Sequence, residues 1–180
     1  MLVTNILEIV IHGRGGQGAV TAAELLAVSA FKDGKYTQAF PRFGPERRGS
    51  PVQSYCRISD EFITLRTQVY NPDNVIVLDD SLPKVINITR GLPREGIILI
   101  NSERKMKFNG YKVYTVDANK IALEILGRPI VNTVMLGAFA KATDLISLEN
   151  LVVSIKERFE GELKKKNVLA VKRAYKETVV

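Results

Sequence analysis

Short, unbroken apolar runs recur along the chain, separated by longer stretches whose apolar positions follow helical spacing. Residues 6–11, 74–78 (NVIVL), 96–100 and 111–116 are such runs. Continuous apolarity over so few residues is the pattern of a strand covered on both faces. Residues 36–40 add a short β-former segment, and 52–58 with 61–67 alternate around Ser59-Asp60, which predicts a β-hairpin. Helices are expected at 19–32, stopped by Asp33-Gly34, and at 118–126, closed by Gly127-Arg128-Pro129. A further helix over 132–142 is rich in small residues that allow close packing, and Ser147 is placed to cap the next one. Gly161 separates that helix from the last. Strands alternating with helices predict a single Rossmann-like α/β domain over residues 1–180. Its expected form is an open, mostly parallel sheet with helices on both faces and a β-hairpin insertion.

One junction in this pattern carries chemistry. The first strand ends at His12 and runs into Gly13-Arg14-Gly15-Gly16-Gln17-Gly18, and a helix former starts at Ala19. Strand, glycine turn and helix in this order build an anion site: glycines admit a close backbone approach, and the unpaired first-turn N–H groups point at the ligand. The same glycines equally serve close packing of strand on helix. A dinucleotide site of the NAD type needs an acid about 20 residues on for the ribose hydroxyls. That place reads Tyr36-Thr37-Gln38-Ala39-Phe40-Pro41-Arg42, with no acid, so NAD is disfavoured. Arg42, Arg47 and Arg48 instead suit a ligand with an additional phosphate, such as NADP or coenzyme A. They lie in residues 41–51 (PRFGPERRGSP), whose three prolines and two glycines predict an irregular loop.

Composition narrows the classes. At 180 residues and 46% hydrophobic content the chain can bury a sizeable core. No apolar run approaches the roughly 20 residues of a membrane span, and the N-terminus lacks a signal-peptide pattern, so a cytoplasmic protein is expected. A single cysteine, Cys56, excludes a disulfide framework and by itself builds no zinc or iron–sulfur site. Its strand context reads as a buried thiol. The net charge is +7, and residues 151–180 hold eight Lys/Arg against four Glu. Without interleaved aromatics this reads as a solvated helix face, and neither a nucleic acid nor a membrane is expected as partner. Abundant Lys, Arg and Glu with no Trp suits a thermophile. Asp79-Asp80 stands at a strand end as a metal or base candidate, with capping of the following turn as the plainer role. His12, the only histidine, has no triad partners in sequence and is expected to pack against the loop. No catalytic residue is assigned.

Two blocks taken together are specific. GRGGQG at 13–18 and FPRFGPERRGSPV at 40–52 resemble the gamma subunit of 2-oxoacid:ferredoxin oxidoreductases, and the likeness continues through Asp79 to Gly127-Arg128-Pro129-Ile130-Val131-Asn132-Thr133. It is nearest to the pyruvate synthase type, which some archaea share with a 2-ketoisovalerate enzyme. The resemblance implies an assembly of alpha, beta, gamma and delta chains that converts a 2-oxoacid, pyruvate first among them, to acyl-CoA and CO2 while reducing ferredoxin. It further implies thiamine diphosphate and iron–sulfur clusters on the partner chains, and coenzyme A in association with the gamma chain. On that footing Gly13, Arg14, Gly15, Gly16, Gln17, Gly18, Arg42, Arg47 and Arg48 are the expected coenzyme A contacts, with no metal ligand. An independent NADP-binding oxidoreductase and a non-catalytic nucleotide-binding scaffold are the rival readings.

Overall fold

The apolar runs do become strands, and their order in space explains where a ligand can sit. A computed structural model describes residues 6–42 and 48–180. It contains β1 (Leu7–Arg14), α1 (Ala19–Lys32), β2 (Tyr36–Pro41), β3 (Pro51–Ser59), β4 (Asn74–Val77), a short 3-10 turn at Leu82–Lys84, β5 (Ile97–Asn101) and β6 (Lys112–Val116). Four helices follow: α2 (Ala118–Leu126), α3 (Asn132–Thr143), α4 (Leu148–Arg158) and α5 (Gly161–Glu177). The six strands form one sheet in the order β2-β3-β1-β4-β5-β6. β1, β4, β5 and β6 are mutually parallel, whereas β3 runs antiparallel to both β1 and β2. The single, mostly parallel α/β sheet is as the sequence predicts.

Two details differ. The expected hairpin partner at 61–67 is not a strand. β3 is flanked by β1 on one side (Ile9 opposite Cys56) and β2 on the other (Ala39 opposite Cys56), so neither edge is free. The carbonyls of the 61–67 segment are met by side chains instead: Gln38 Nε2 donates to Ile63 O at 3.2 Å and Arg57 Nη2 to Thr67 O at 2.6 Å. Arg57, only 1% exposed, also donates to Glu8 Oε1 at 2.7 Å and lies 5.0 Å over the Phe40 ring.

The helices also do not divide between the faces. All five α-helices pack on one face, where Ile9, Ile11, Cys56, Ile76, Leu78 and Leu99 meet residues of α1 through α5. The opposite face, with Val75, Val77, Ile98 and Ile100, is covered by Leu82, Ile88, Leu92 and the aromatic residues Phe108 and Tyr111 from irregular segments. Handedness supplies the reason. A right-handed crossover from β1 to β2 puts α1 on one face, while the steps β4 to β5 to β6 run the other way across the sheet and so cross on the other face. Those crossings hold only the 3-10 turn at Leu82–Lys84 and irregular chain, and the α-helices return to the first face after β6.

Sequence chemistry sets the helix ends. Asp117 accepts from Lys120 N at 2.9 Å at the start of α2, and Gly127 ends it in the left-handed region at φ 72°. Ser147 Oγ accepts from Asn150 N at 3.1 Å, as expected of its cap position. Asp33, just past the end of α1, reinforces this second cap: it accepts from Ser147 N at 2.8 Å, Ser147 Oγ at 2.6 Å and Asn150 Nδ2 at 2.7 Å. The small residues of α3 let it be buried almost throughout, and at Gly137 a Cβ would stand 2.2 Å from the Val171 carbonyl of α5.

Candidate anion site at the strand switch point

In an open parallel sheet the crevice forms where successive crossovers leave in opposite directions, beyond the strand C-termini. Here that point lies between β1 and β4, and it is bordered by the glycine loop and by Asp79-Asp80-Ser81. Gly16 and Gly18 have φ of 96° and 78°, a left-handed backbone that favours glycine. A Cβ on Gly16 would meet nothing within 4 Å, so the loop crest stands open. Gly13 is a packing glycine, where a Cβ would stand 3.2 Å from Leu78 Cδ1 and 3.4 Å from Ala19 Cβ. Both readings of the glycine loop are therefore present at different positions.

Gly18 is the N-cap of α1 and no side chain caps it. The first helical bond is Ala22 N to Gly18 O at 3.0 Å, so the N–H groups of the preceding turn have no acceptor within the helix. They form the positive end of a 14-residue helix.

The loop is braced from below. Arg14 Nε donates to Asp79 Oδ2 at 3.1 Å, Nη1 to Gly49 O at 3.0 Å and Nη2 to Ser81 Oγ at 2.7 Å. Gln17 Oε1 accepts from Arg14 N at 2.7 Å and Gln17 Nε2 donates to Asp79 Oδ2 at 3.1 Å. Asp79 Oδ1 accepts from Ser81 N at 2.9 Å and from the Ser81 hydroxyl, so Asp79 does cap the turn after β4. Burial raises the Asp79 pKa, but the bonds from Ser81 and Gln17 and the charge of Arg14 outweigh it and hold the carboxyl below its ordinary value. Arg14 and Gln17 thus spend their polar atoms on the protein.

The arginine-bearing segment reaches the same loop. Arg48 forms a parallel bridge with Gly15, Gly15 N donates to Ser50 O at 2.9 Å, and Gly49 N donates to Gly15 O at 3.1 Å. Arg48 and Arg42 are both exposed, whereas Arg47 lies outside the described residues. Arg42 is steered by Gln53, whose backbone accepts from Arg42 N at 2.9 Å and whose Oε1 accepts from Arg42 Nη1 at 2.9 Å. The Gln53 Nε2 in turn faces His12 Nδ1 at 3.3 Å. Burial, with the charge of Arg42 added, lowers the His12 pKa to about 4, so the ring is neutral at physiological pH. His12 packs beside the loop as expected.

Sequence reasoning missed Gln53 and Asn132. Asn132, at the start of α3, donates from Nδ2 to Gly18 O at 3.4 Å, and a Cβ on Gly18 would stand 2.5 Å from that nitrogen. For Asn132 the available signal was a polar residue at the head of the small-residue helix, just past Gly127-Arg128-Pro129. Cys56 is fully buried, and burial pushes its thiol far above the ordinary value. Acids on the basic C-terminal helix and on α2 pair with it: Arg173 with Glu177 and with Glu124 of α2, and Lys165 with Glu162. Among the described residues no helix is long and apolar enough to cross a membrane, and no group of three or more His, Cys, Asp or Glu side chains is placed to hold a metal ion.

Residues 8–177 match the family described as pyruvate ferredoxin/flavodoxin oxidoreductase. The chain belongs to this family. It is 56% identical over 170 residues to the pyruvate synthase subunit PorC of Methanothermobacter marburgensis, covering 94% of this chain and 96% of that protein. It is 53% identical over 182 residues to the common gamma subunit of the pyruvate/ketoisovalerate oxidoreductases of Thermococcus kodakarensis, covering 97% and 98%. The crystal structure of the pyruvate oxidoreductase subunit PORC from Thermotoga maritima superposes with a TM-score of 0.85 at 39% identity, over 97% of each chain. The place of the chain within the family is that of the gamma subunit, as the two sequence blocks implied.

Proposed function

We propose that this gamma subunit serves a pyruvate-oxidising member of the family and supplies part of its coenzyme A site, at the glycine loop. The observation that carries this reading is the Gly15–Arg48 bridge, which brings an open loop crest, the uncapped end of α1 and an exposed guanidinium to one rim. That set matches a ligand bearing several phosphates: backbone N–H groups and a helix end for one group, arginine forks for another. Gly15, Gly16 and Gly18 offer backbone, and Arg42, Arg47 and Arg48 offer charge. Gly13, Arg14 and Gln17 act from within the loop by holding its shape.

The chain is inert alone in this reading. Its one cysteine is buried in β3, and the single histidine is buried and neutral. The family resemblance assigns thiamine diphosphate and the iron–sulfur clusters to alpha, beta and delta partners, with ferredoxin as electron acceptor, and the single buried cysteine here agrees with that division. When bound, coenzyme A supplies the thiol that takes up the acyl group. This chain binds and orients its phosphate-bearing end.

Purification of the tagged chain from its own host, followed by coenzyme A titration of the assembly, tests the reading. The expected result is co-purification of the partner chains and coenzyme A-dependent pyruvate oxidation whose KM rises in Gly16→Val. At φ 96° a β-branched side chain strains the loop and occupies its open crest. Pyruvate oxidation by the isolated chain, or an unchanged KM in that variant, overturns it.

A further inference from the structure

The switch-point crevice, where a ligand is expected to sit, is spanned by protein. Asp79 at the end of β4 reaches across it to Arg14 at the end of β1, and its carboxylate accepts four hydrogen bonds: Ser81 N and Ser81 Oγ on Oδ1, Arg14 Nε and Gln17 Nε2 on Oδ2. Every strong acceptor site of that carboxylate is used. Arg14 carries the connection onward to Gly49 O, beside Arg48, and Gln17 folds back to Arg14 N. One carboxylate therefore ties together three segments that are far apart in sequence: the glycine loop, the 48–50 stretch and the turn after β4.

We propose that Asp79 is a positioning residue of the coenzyme A site, holding the glycine loop in register with the Arg48-bearing segment through Arg14 and Gln17. The inference rests on the coenzyme A reading above. The side chains of Arg14 and Asp79 are 28% and 21% exposed, so the pair is sheltered enough for its geometry to be held rather than averaged by solvent. Its effect on a ligand is indirect. With Asp79 present, the Arg14 cation stays under the loop and the crest presents backbone donors. Without it, an uncompensated guanidinium is left beside the loop, Gln17 loses its anchor, and the Gly15–Ser50 register loosens.

The test is the near-isosteric Asp79→Asn in the assembled complex. Oδ1 still accepts from Ser81, but an amide NH2 in place of Oδ2 faces two donors, Arg14 Nε and Gln17 Nε2. The expected result is a coenzyme A KM raised about tenfold as both bonds to Oδ2 are lost, with kcat at saturating coenzyme A held within about twofold. Because Asp79 works through Arg14, adding Arg14→Gln to Asp79→Asn should raise KM no further than the worse single variant. Additive effects, an unchanged KM, or a fall in kcat in an intact assembly would each overturn the proposal. If Asp79→Asn does not assemble, Ser81→Ala decides. It removes two contacts of the same network, a several-fold KM rise is expected, and none refutes the role. Gly16→Val separates the two readings. A raised KM there with Asp79→Asn silent sinks only the positioning role, while silence in both sinks the coenzyme A site itself.

Discussion

Gly15 and Arg48, which are distant in sequence, lie side by side as a parallel bridge, closed by Gly15 N to Ser50 O at 2.9 Å and Gly49 N to Gly15 O at 3.1 Å. The contact places an exposed arginine on the rim of the glycine loop. A charge-assisted contact to phosphate is worth roughly 1.5–3 kcal/mol. Arg48→Ala should therefore weaken coenzyme A use about tenfold to a hundredfold in KM, with native complex mass unchanged. Native mass measurement with coenzyme A titration checks this. A dissociated complex with intact affinity would place Arg48 at a subunit interface instead.

The single histidine makes its titration unambiguous by NMR. His12 should titrate near pH 4, well below its ordinary value of 6.5, because burial disfavours the imidazolium and Arg42 repels it. The folded pKa lies below the unfolded one, so the stability contributed by neutral burial is fully present above pH 6.5 and is lost as pH falls toward 4. The full loss is about 3 kcal/mol. His12→Gln should remove most of that pH dependence between 6.5 and 4. A histidine signal titrating near 6.5 in the folded chain would contradict the neutral, Gln53-facing ring.

Asp33 links the end of α1 to the start of α4. Burial raises its pKa, yet the hydrogen bonds from Ser147 and Asn150 and the charge of Lys35 hold it below the ordinary 3.8. This contribution is present above pH 3.8 and fades as pH falls through the lower, folded value. Asp33→Ala should cost about 1 kcal/mol, the usual scale of a lost helix cap. Urea melts at neutral pH measure that cost, and equal midpoints for the two proteins would show that Ser147 caps α4 unaided.

At Gly137 the backbone of α3 comes close to that of α5. A Cβ there would lie 2.2 Å from a backbone carbonyl, which cannot swing aside as a side-chain tip can. Gly137→Ala should destabilise by about 1–3 kcal/mol despite the better helix propensity of alanine. Thermal melts of both proteins report the sign. A rise in Tm would mean that the helices separate freely.

The parallel strands, the five helices and the helix ends at Gly34, Gly127 and Ser147 were legible in the sequence because each depends on local spacing: apolar runs, a glycine after a helix, a serine before one. The glycine loop was legible for the same reason, since strand, glycines and helix are contiguous at 7–32. The false hairpin shows where local spacing stops being informative. Residues 61–67 alternate like a strand, but β3 already had a partner on each side, and pairing is decided by competition among distant segments. The face chosen by each helix likewise follows from strand order and crossover handedness, which no window of sequence contains.

The same division runs through the site. Chain order alone determined that a glycine loop precedes a helix and that arginines cluster farther on. Tertiary contact decided what each does: Arg14 is turned inward onto Asp79, Arg48 is set on the loop's rim, and Gln53 and Asn132 join from other elements. An arginine has the same charge in either role. Only the position of a carboxylate from another strand distinguishes a brace from a ligand contact, and that position is a property of the folded sheet.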